Sequence, residues 1–185
     1  MAGQKVTIFG GSTPKPGEPA YEQALGLGRS LAAAGHTVIT GGYRGTMEAI
    51  SRGAAEASGH VIGVTCAEIE AWRPVTANPW VSEEIRFPTL RERLYALIDL
   101  CDAALALPGG IGTLAEIAVL WSQLQTGASR PMPFILIGPG WAQTMGTFIR
   151  EQAGYIPEKY QHLPVYEDNI EAAVKTLNYL LDSVR

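Results

Sequence analysis

Three apolar runs in this chain end directly in glycine. They are Phe9-Gly10-Gly11-Ser12, Thr40-Gly41-Gly42-Tyr43-Arg44-Gly45-Thr46 and Leu107-Pro108-Gly109-Gly110-Ile111-Gly112-Thr113. Each run is too short for a helix and apolar at successive positions, the pattern of a strand buried on both faces. The segments between the runs carry apolar residues at helical spacing. Parallel strands need such crossovers, so the alternation restricts the chain to a parallel sheet covered by helices.

The same reading extends along the whole sequence. Strands are predicted over residues 6–9, 37–40, 61–65, 103–107 and 134–137, with a short last one at 162–165. Helices are predicted over 21–34, 46–58, 89–101, 112–125, 144–152 and 170–181. Gly35 and Gly59 stop the first two, and Asp168 or Asn169 is expected to cap the last. In the helix over 89–101, Leu90, Leu94, Leu97, Ile98 and Cys101 are expected to face inward. Residues 66–88 hold Trp72, Pro74, Pro79, Trp80 and Pro88 without a clean period, and are expected to form a loop with a short helical turn. The fold class is α/β, a Rossmann-like open parallel sheet with helices on both faces. Residues 1–185 are read as one nucleotide-binding domain.

Composition narrows the partners. The chain has 185 residues, 46% of them apolar and 17% charged, enough for a core of its own. Its formal net charge of -4 offers no basic excess for nucleic acid or an anionic membrane surface. Cys66 and Cys101 belong to no paired motif, and His36, His60 and His162 are scattered, so neither a disulfide framework nor a metal site is expected. MAGQK leads straight into VTIFGG with no apolar leader, and the expected location is the cytoplasm.

In an open parallel sheet, ligands bind outside the carboxyl ends of the strands, where all three glycine loops lie. Glycine lets backbone amides approach a ligand, and the helix that follows presents unpaired N–H groups to it. Ser12, Thr46 and Thr113 could add hydroxyl donors. Gly11, Gly41, Gly42, Gly45, Pro108, Gly109, Gly110 and Gly112 form the rest of the expected cradle. None of the loops has the GxGxxG spacing of a dinucleotide site, and no Walker A sequence occurs. The ligand is read as a mononucleotide or ribose phosphate, with no cofactor.

Glu116 follows the third loop by about one helical turn. Arg93 lies near the start of the preceding helix, whose N-terminal end also faces the ligand edge. Arginine and a carboxylate beside a phosphate cradle suit cleavage of an N-glycosidic bond, which passes through an oxocarbenium-like state. The same pair could equally hold a phosphorylated ligand without turnover. Trp72 and Trp80 could stack on a base or pack an interface. The helix face Ile117, Leu120, Trp121 and Leu124 is core or interface material.

Pro108-Gly109-Gly110-Ile111-Gly112-Thr113-Leu114-Ala115-Glu116 resembles the PGGxGTxxE hallmark of the LOG ("Lonely guy") family, cytokinin-activating phosphoribohydrolases once misread as lysine decarboxylases. Gly41 to Glu48, with Met47, is similar to the family's GGGxxGxMG stretch, and the opening FGGSTP is similar to its first strand and loop. The resemblance implies that Glu116 and Arg93 are the catalytic pair, that the active unit is a homodimer, and that nucleoside 5'-monophosphates are cut to free base and ribose 5-phosphate. The family's MHxRK motif reads Leu90-Arg91-Glu92-Arg93-Leu94 here, with leucine in place of lysine. Arg91 or Arg44 is the candidate replacement cation. Related proteins carry molybdenum cofactor or bind nucleotides without cleaving them, which is the alternative reading. Lysine decarboxylation fits poorly, because Lys5, Lys15, Lys159 and Lys175 lie outside the expected cleft.

Overall fold

A computed structural model describes residues 3–183. Its strands are β1 (Lys5–Phe9), β2 (Thr37–Thr40), β3 (Val61–Cys66), β4 (Glu83–Phe87), β5 (Ala103–Ala106), β6 (Phe134–Ile137) and β7 (Val165–Glu167). Its helices are α1 (Pro19–Ala33), α2 (Thr46–Glu56), α3 (Ala67–Trp72), α4 (Leu90–Asp99), α5 (Ile111–Thr126), α6 (Pro139–Glu151), the single turn α7 (Glu158–Gln161) and α8 (Ile170–Ser183). The strands form one parallel sheet in the order β4-β3-β2-β1-β5-β6-β7. β1 is the pivot, with Val6 opposite Val38 of β2 on one side and Ala103 of β5 on the other.

Successive strand residues point to opposite faces, and the two cores follow from that. Val6, Ile8, Val38 and Leu105 pack with Leu25 and Leu27 of α1, Ile50 of α2 and Leu177 of α8. Phe9, Ile39, Ile62 and Ala106 pack on the opposite face with Leu97 of α4, Ile117 and Leu120 of α5, and Trp141 of α6. The one polar residue inside β1, Thr7, is fully buried. Its hydroxyl donates to the Leu97 carbonyl at 2.7 Å, which removes the cost of burying it. No helix among the described residues is long and apolar enough to cross a membrane.

Four expectations need correction. Residues 66–88 contain α3, the anticipated helical turn, but also a strand. β4 pairs with β3 in parallel, Val64 opposite Ile85. It closes one edge of the sheet, so its exposed and half-buried positions never make the continuous apolar run of an inner strand. The last strand begins at Val165 rather than 162, because Pro164 has no N–H for the ladder. α6 starts five residues before the predicted 144, with Pro139 in the first helical turn after Gly138 at φ 103°. Leu90 is 48% exposed instead of inward, and Leu94 is half-buried, whereas Leu97, Ile98 and Cys101 are buried as expected. Asn169 supplies the α8 cap, its side chain accepting from Ala172 N–H at 2.9 Å.

Helices α1 and α2 approach closely because each places a glycine at the crossing. A Cβ on Gly28 would lie 2.1 Å from the Ile50 carbonyl oxygen, and one on Gly53 would lie 1.9 Å from that of Leu25. Both obstacles are backbone and cannot rotate away. Gly28→Ala is therefore expected to destabilise the protein by roughly 2–3 kcal/mol in urea unfolding. A variant as stable as the parent would contradict this packing.

Candidate active site

The three glycine loops are fastened together at one residue, Gly11. Gly11 N–H donates to the Pro108 carbonyl at 3.2 Å, and its carbonyl accepts both the N–H and the hydroxyl of Thr46 at 2.9 Å each. Gly45, at φ 74°, lies so close that a Cβ there would be 2.5 Å from Ser12 Cα. The Thr46 hydroxyl is thus committed to holding two loops together, and does not serve as the free ligand donor expected of it. Thr113 is buried over Gly109, where a Cβ would meet its hydroxyl at 2.1 Å.

What remains open is the start of α5. Pro108, Gly109, Gly110 and Gly112 are exposed, as is Ser12 across the edge. The first α5 hydrogen bond runs from Leu114 N–H to the Gly110 carbonyl at 3.0 Å, which leaves the first-turn amides before it for a ligand. Such a terminus favours an anion through its amides and its dipole together. Gly41 and Gly42 are buried and Met47 is half-buried, so they shape the floor below.

That floor holds Arg93, only 6% exposed. A capping box, in which Thr89 and Glu92 exchange side-chain and backbone bonds, fixes the start of α4 one turn from it. Arg93 Nε donates to the Val64 carbonyl at 2.7 Å, and Nη2 donates to the Gly41 carbonyl at 3.0 Å. The guanidinium carbon lies 5.6 Å from the Tyr43 ring centroid. A Cβ on Gly41 would stand 1.9 Å from Nη2, so glycine there is what admits the guanidinium. The remaining nitrogen, Nη1, faces Glu116 Oε1 at 4.0 Å. Burial raises the Glu116 carboxyl and the nearby Arg93 charge lowers it, and the balance stands at about 7. The structure therefore brings Arg93 and Glu116 together from consecutive helices, as their positions in the sequence suggested.

Residues that sequence reasoning did not single out complete this floor. The Tyr43 hydroxyl accepts Cys66 N–H at 2.8 Å. The Asn78 side chain donates to the Gly42 and Tyr43 carbonyls at 3.0 Å each, and Asn78 N–H to Gly42 O at 2.7 Å. The Asn-Pro pair at 78–79 is a turn signal, and Asn78 Oδ1 does accept Trp80 N–H at 3.1 Å. Nothing local marked the long reach to Gly42. Trp80 lies beneath Arg52 of α2, 5.8 Å from ring centroid to guanidinium, whereas Trp72 is 79% exposed. Glu83 and Glu84 sit on β4 with His60 and Thr65 as partners.

A parallel sheet whose strands end in amide-rich loops, above a buried Arg93 that faces the half-buried Glu116, defines a Rossmann-like α/β protein. The chain belongs to the LOG family, whose family model, described as "Possible lysine decarboxylase", matches residues 47–177. A cytokinin riboside 5'-monophosphate phosphoribohydrolase from Rhodococcoides fascians is 32% identical over 124 residues, 65% of this chain and 62% of that protein. A pyrimidine/purine nucleotide 5'-monophosphate nucleosidase from Escherichia coli K12 is 33% identical over 145 residues, 72% of this chain but 31% of that protein. The match thus spans less than two thirds of either relative's length. Among solved structures, a molybdenum cofactor binding protein from Rippkaea orientalis superposes with a TM-score of 0.76 at 21% identity, covering 98% of this chain and 99% of that one. The last likeness is one of fold.

Burying Glu116 has a signature in stability. Its carboxyl titrates near 7 in the folded protein against 4.5 in an unstructured chain, so the folded state holds the proton more tightly. Stability is lost as pH rises from about 4.5 to about 7 and is level above that. Glu116→Gln removes this loss. In chemical unfolding at pH 8 the variant is expected to exceed the parent by roughly 2–4 kcal/mol, with the gap closing by about pH 4.5. An equal gap at both values would contradict a buried, titrating carboxyl.

Proposed function

We propose that the chain hydrolyses the N-glycosidic bond of a nucleoside 5'-monophosphate, of the AMP or cytokinin riboside monophosphate type, to free base and ribose 5-phosphate. The observation that carries this reading is the pairing of buried Arg93 with half-buried Glu116 beside the open first turn of α5. The printed names of the two relatives, both acting on nucleoside 5'-monophosphates, support it.

In this reading the amides at Gly110, Gly112 and Thr113 take the 5'-phosphate, with Ser12 on the opposite lip. Glu116, one turn into the helix, then faces the ribose. As the C1'–N bond breaks, its electron pair leaves with the base, and positive charge spreads over C1' and the ring oxygen. The Glu116 carboxylate stabilises that charge and accepts a proton from the attacking water, whose oxygen bonds to C1'. The base takes up a proton from solvent and Glu116 returns to solvent the one it accepted, so the sum is one water consumed per bond cut. Arg93 favours the ionised carboxylate, and its own bonds to Val64 and Gly41 keep it from swinging away. A carboxyl poised near 7 suits a base that must be ionised at working pH and still accept a proton.

The test is release of free base from AMP, a cytokinin riboside 5'-monophosphate, GMP, CMP and UMP, with Glu116→Gln in parallel. Release by the parent is expected to rise with pH through about 7, following Glu116 ionisation, and to fall by at least about a hundredfold in the variant. Tight nucleotide binding without release from any substrate would instead favour a carrier that uses the same cradle.

We also propose a homodimer, and a small phosphorylated ligand rather than nucleic acid or membrane as partner. α5 is apolar around most of its circumference, yet Ile111 is 83% exposed, and α4, which packs against α5, exposes Leu90 and Tyr95 at 48% and 38%. A second copy would cover that face. Sedimentation equilibrium is expected to give twice the monomer mass for the parent and monomer for Ile111→Asp. A monomeric parent would overturn the dimer.

A further inference from the structure

Helices α1, α2 and α8 cover one face of the sheet, but the connections that leave β5 and β6 both cross to the other face as α5 and α6. On the first face the carboxyl ends of β5 and β6 therefore have no helix of their own. The result is a cavity of about 820 Å³ between α1 and the start of α8. Its floor is apolar, formed by Leu107 and Ile137, and its rim carries Glu22 of α1 with Asp168 and Glu171 at the start of α8. Among the described residues that line it there is no lysine, arginine or histidine. It lies across the sheet from Arg93 and Glu116 and shares with their cradle only the edge at Pro108.

Helix α1 departs from its own best sequence at this cavity. Glycine is the least favourable helix-interior residue after proline. Gly28 has a packing reason, the Ile50 backbone 2.1 Å from where its Cβ would be. Gly26 has none, since a Cβ there would meet nothing within 4 Å, and it lines the cavity. Its missing side chain leaves open volume where an alanine or leucine would project into the cleft.

Charge decides what fits. The N-termini of α1, α6 and α8 border the space and contribute about half a positive charge each. Three carboxylates outweigh them. Glu22 spends one oxygen on Gly17 N–H at 3.1 Å, and Asp168 and Glu171 have no ion-pair partner among the described residues. The volume lies within the range of roughly 300–1,000 Å³ typical of small-molecule sites.

We propose that this cavity binds a small organic cation, a primary ammonium or guanidinium on an apolar body, with the charge at Asp168 and Glu171 and the body on Leu107 and Ile137. The proposal is independent of hydrolysis at Glu116, and its test reads binding alone.

The test is calorimetric titration at low ionic strength with tyramine, agmatine and 4-hydroxyphenylacetate, the last having the ring of tyramine but the opposite charge. Saturable binding of both amines and none of the anion is expected. The Asp168→Asn, Glu171→Gln double variant should bind the amines at least about tenfold more weakly. Gly26→Leu should abolish binding while keeping the parent's thermal midpoint or raising it, because it fills the cavity and improves the helix. Absence of saturable binding by either amine, binding of the anion as tight as that of tyramine, or unchanged amine binding in Gly26→Leu would each overturn the proposal.

Discussion

A guanidinium that is almost fully removed from water must be met by acceptors on every side, and Arg93 organises the ligand edge by that requirement. Leaving such a charge unpaired would cost several kcal/mol. Its nitrogens are answered by a carbonyl at the end of β2, a carbonyl in β3 and a carboxylate in α5. The side chain itself comes from α4. Four separate elements are thereby held in one arrangement. Gly41 is part of the same constraint, since any side chain there would occupy the place of Nη2. Tyr43 and Asn78 in turn hold the loop that presents the Gly41 carbonyl.

The consequence for chemistry lies in Glu116. Burial alone would keep its carboxyl protonated, and Arg93 alone would keep it ionised in the ordinary carboxylate range. Together they leave it near 7. At 4.0 Å the pair is close enough to tune the carboxylate without a short bond that would quench it. Nε and Nη2 of Arg93 are spent on backbone carbonyls, and Nη1 stands 4.0 Å from the carboxylate, so no short bond ties up the Glu116 oxygens.

Most of the sheet was legible because its inner strands are buried on both faces, and short apolar runs ending in glycine have few other meanings. β4 was not, since Glu83-Glu84-Ile85-Arg86-Phe87 lies on an edge and pairs through backbone with little apolar signal. The reading of Arg93 and Glu116 as neighbours rested on helix ends sharing one edge of the sheet, which parallel topology enforces. The roles of Tyr43, Asn78 and the Thr46 hydroxyl were not legible. Each depends on contacts between residues 23 to 36 positions apart, and no local pattern encodes these. Leu94, expected inside with the apolar stripe of α4, is only half-buried.

The central claim is that water attacks C1' of the ribose under Glu116. Turnover of a nucleoside 5'-monophosphate in ¹⁸O-labelled water, with mass spectrometry of the products, tests it most directly. The account predicts one ¹⁸O in the ribose 5-phosphate, on C1, and none in the base. Label in released inorganic phosphate, or in the base, would place the bond cleavage elsewhere and contradict it.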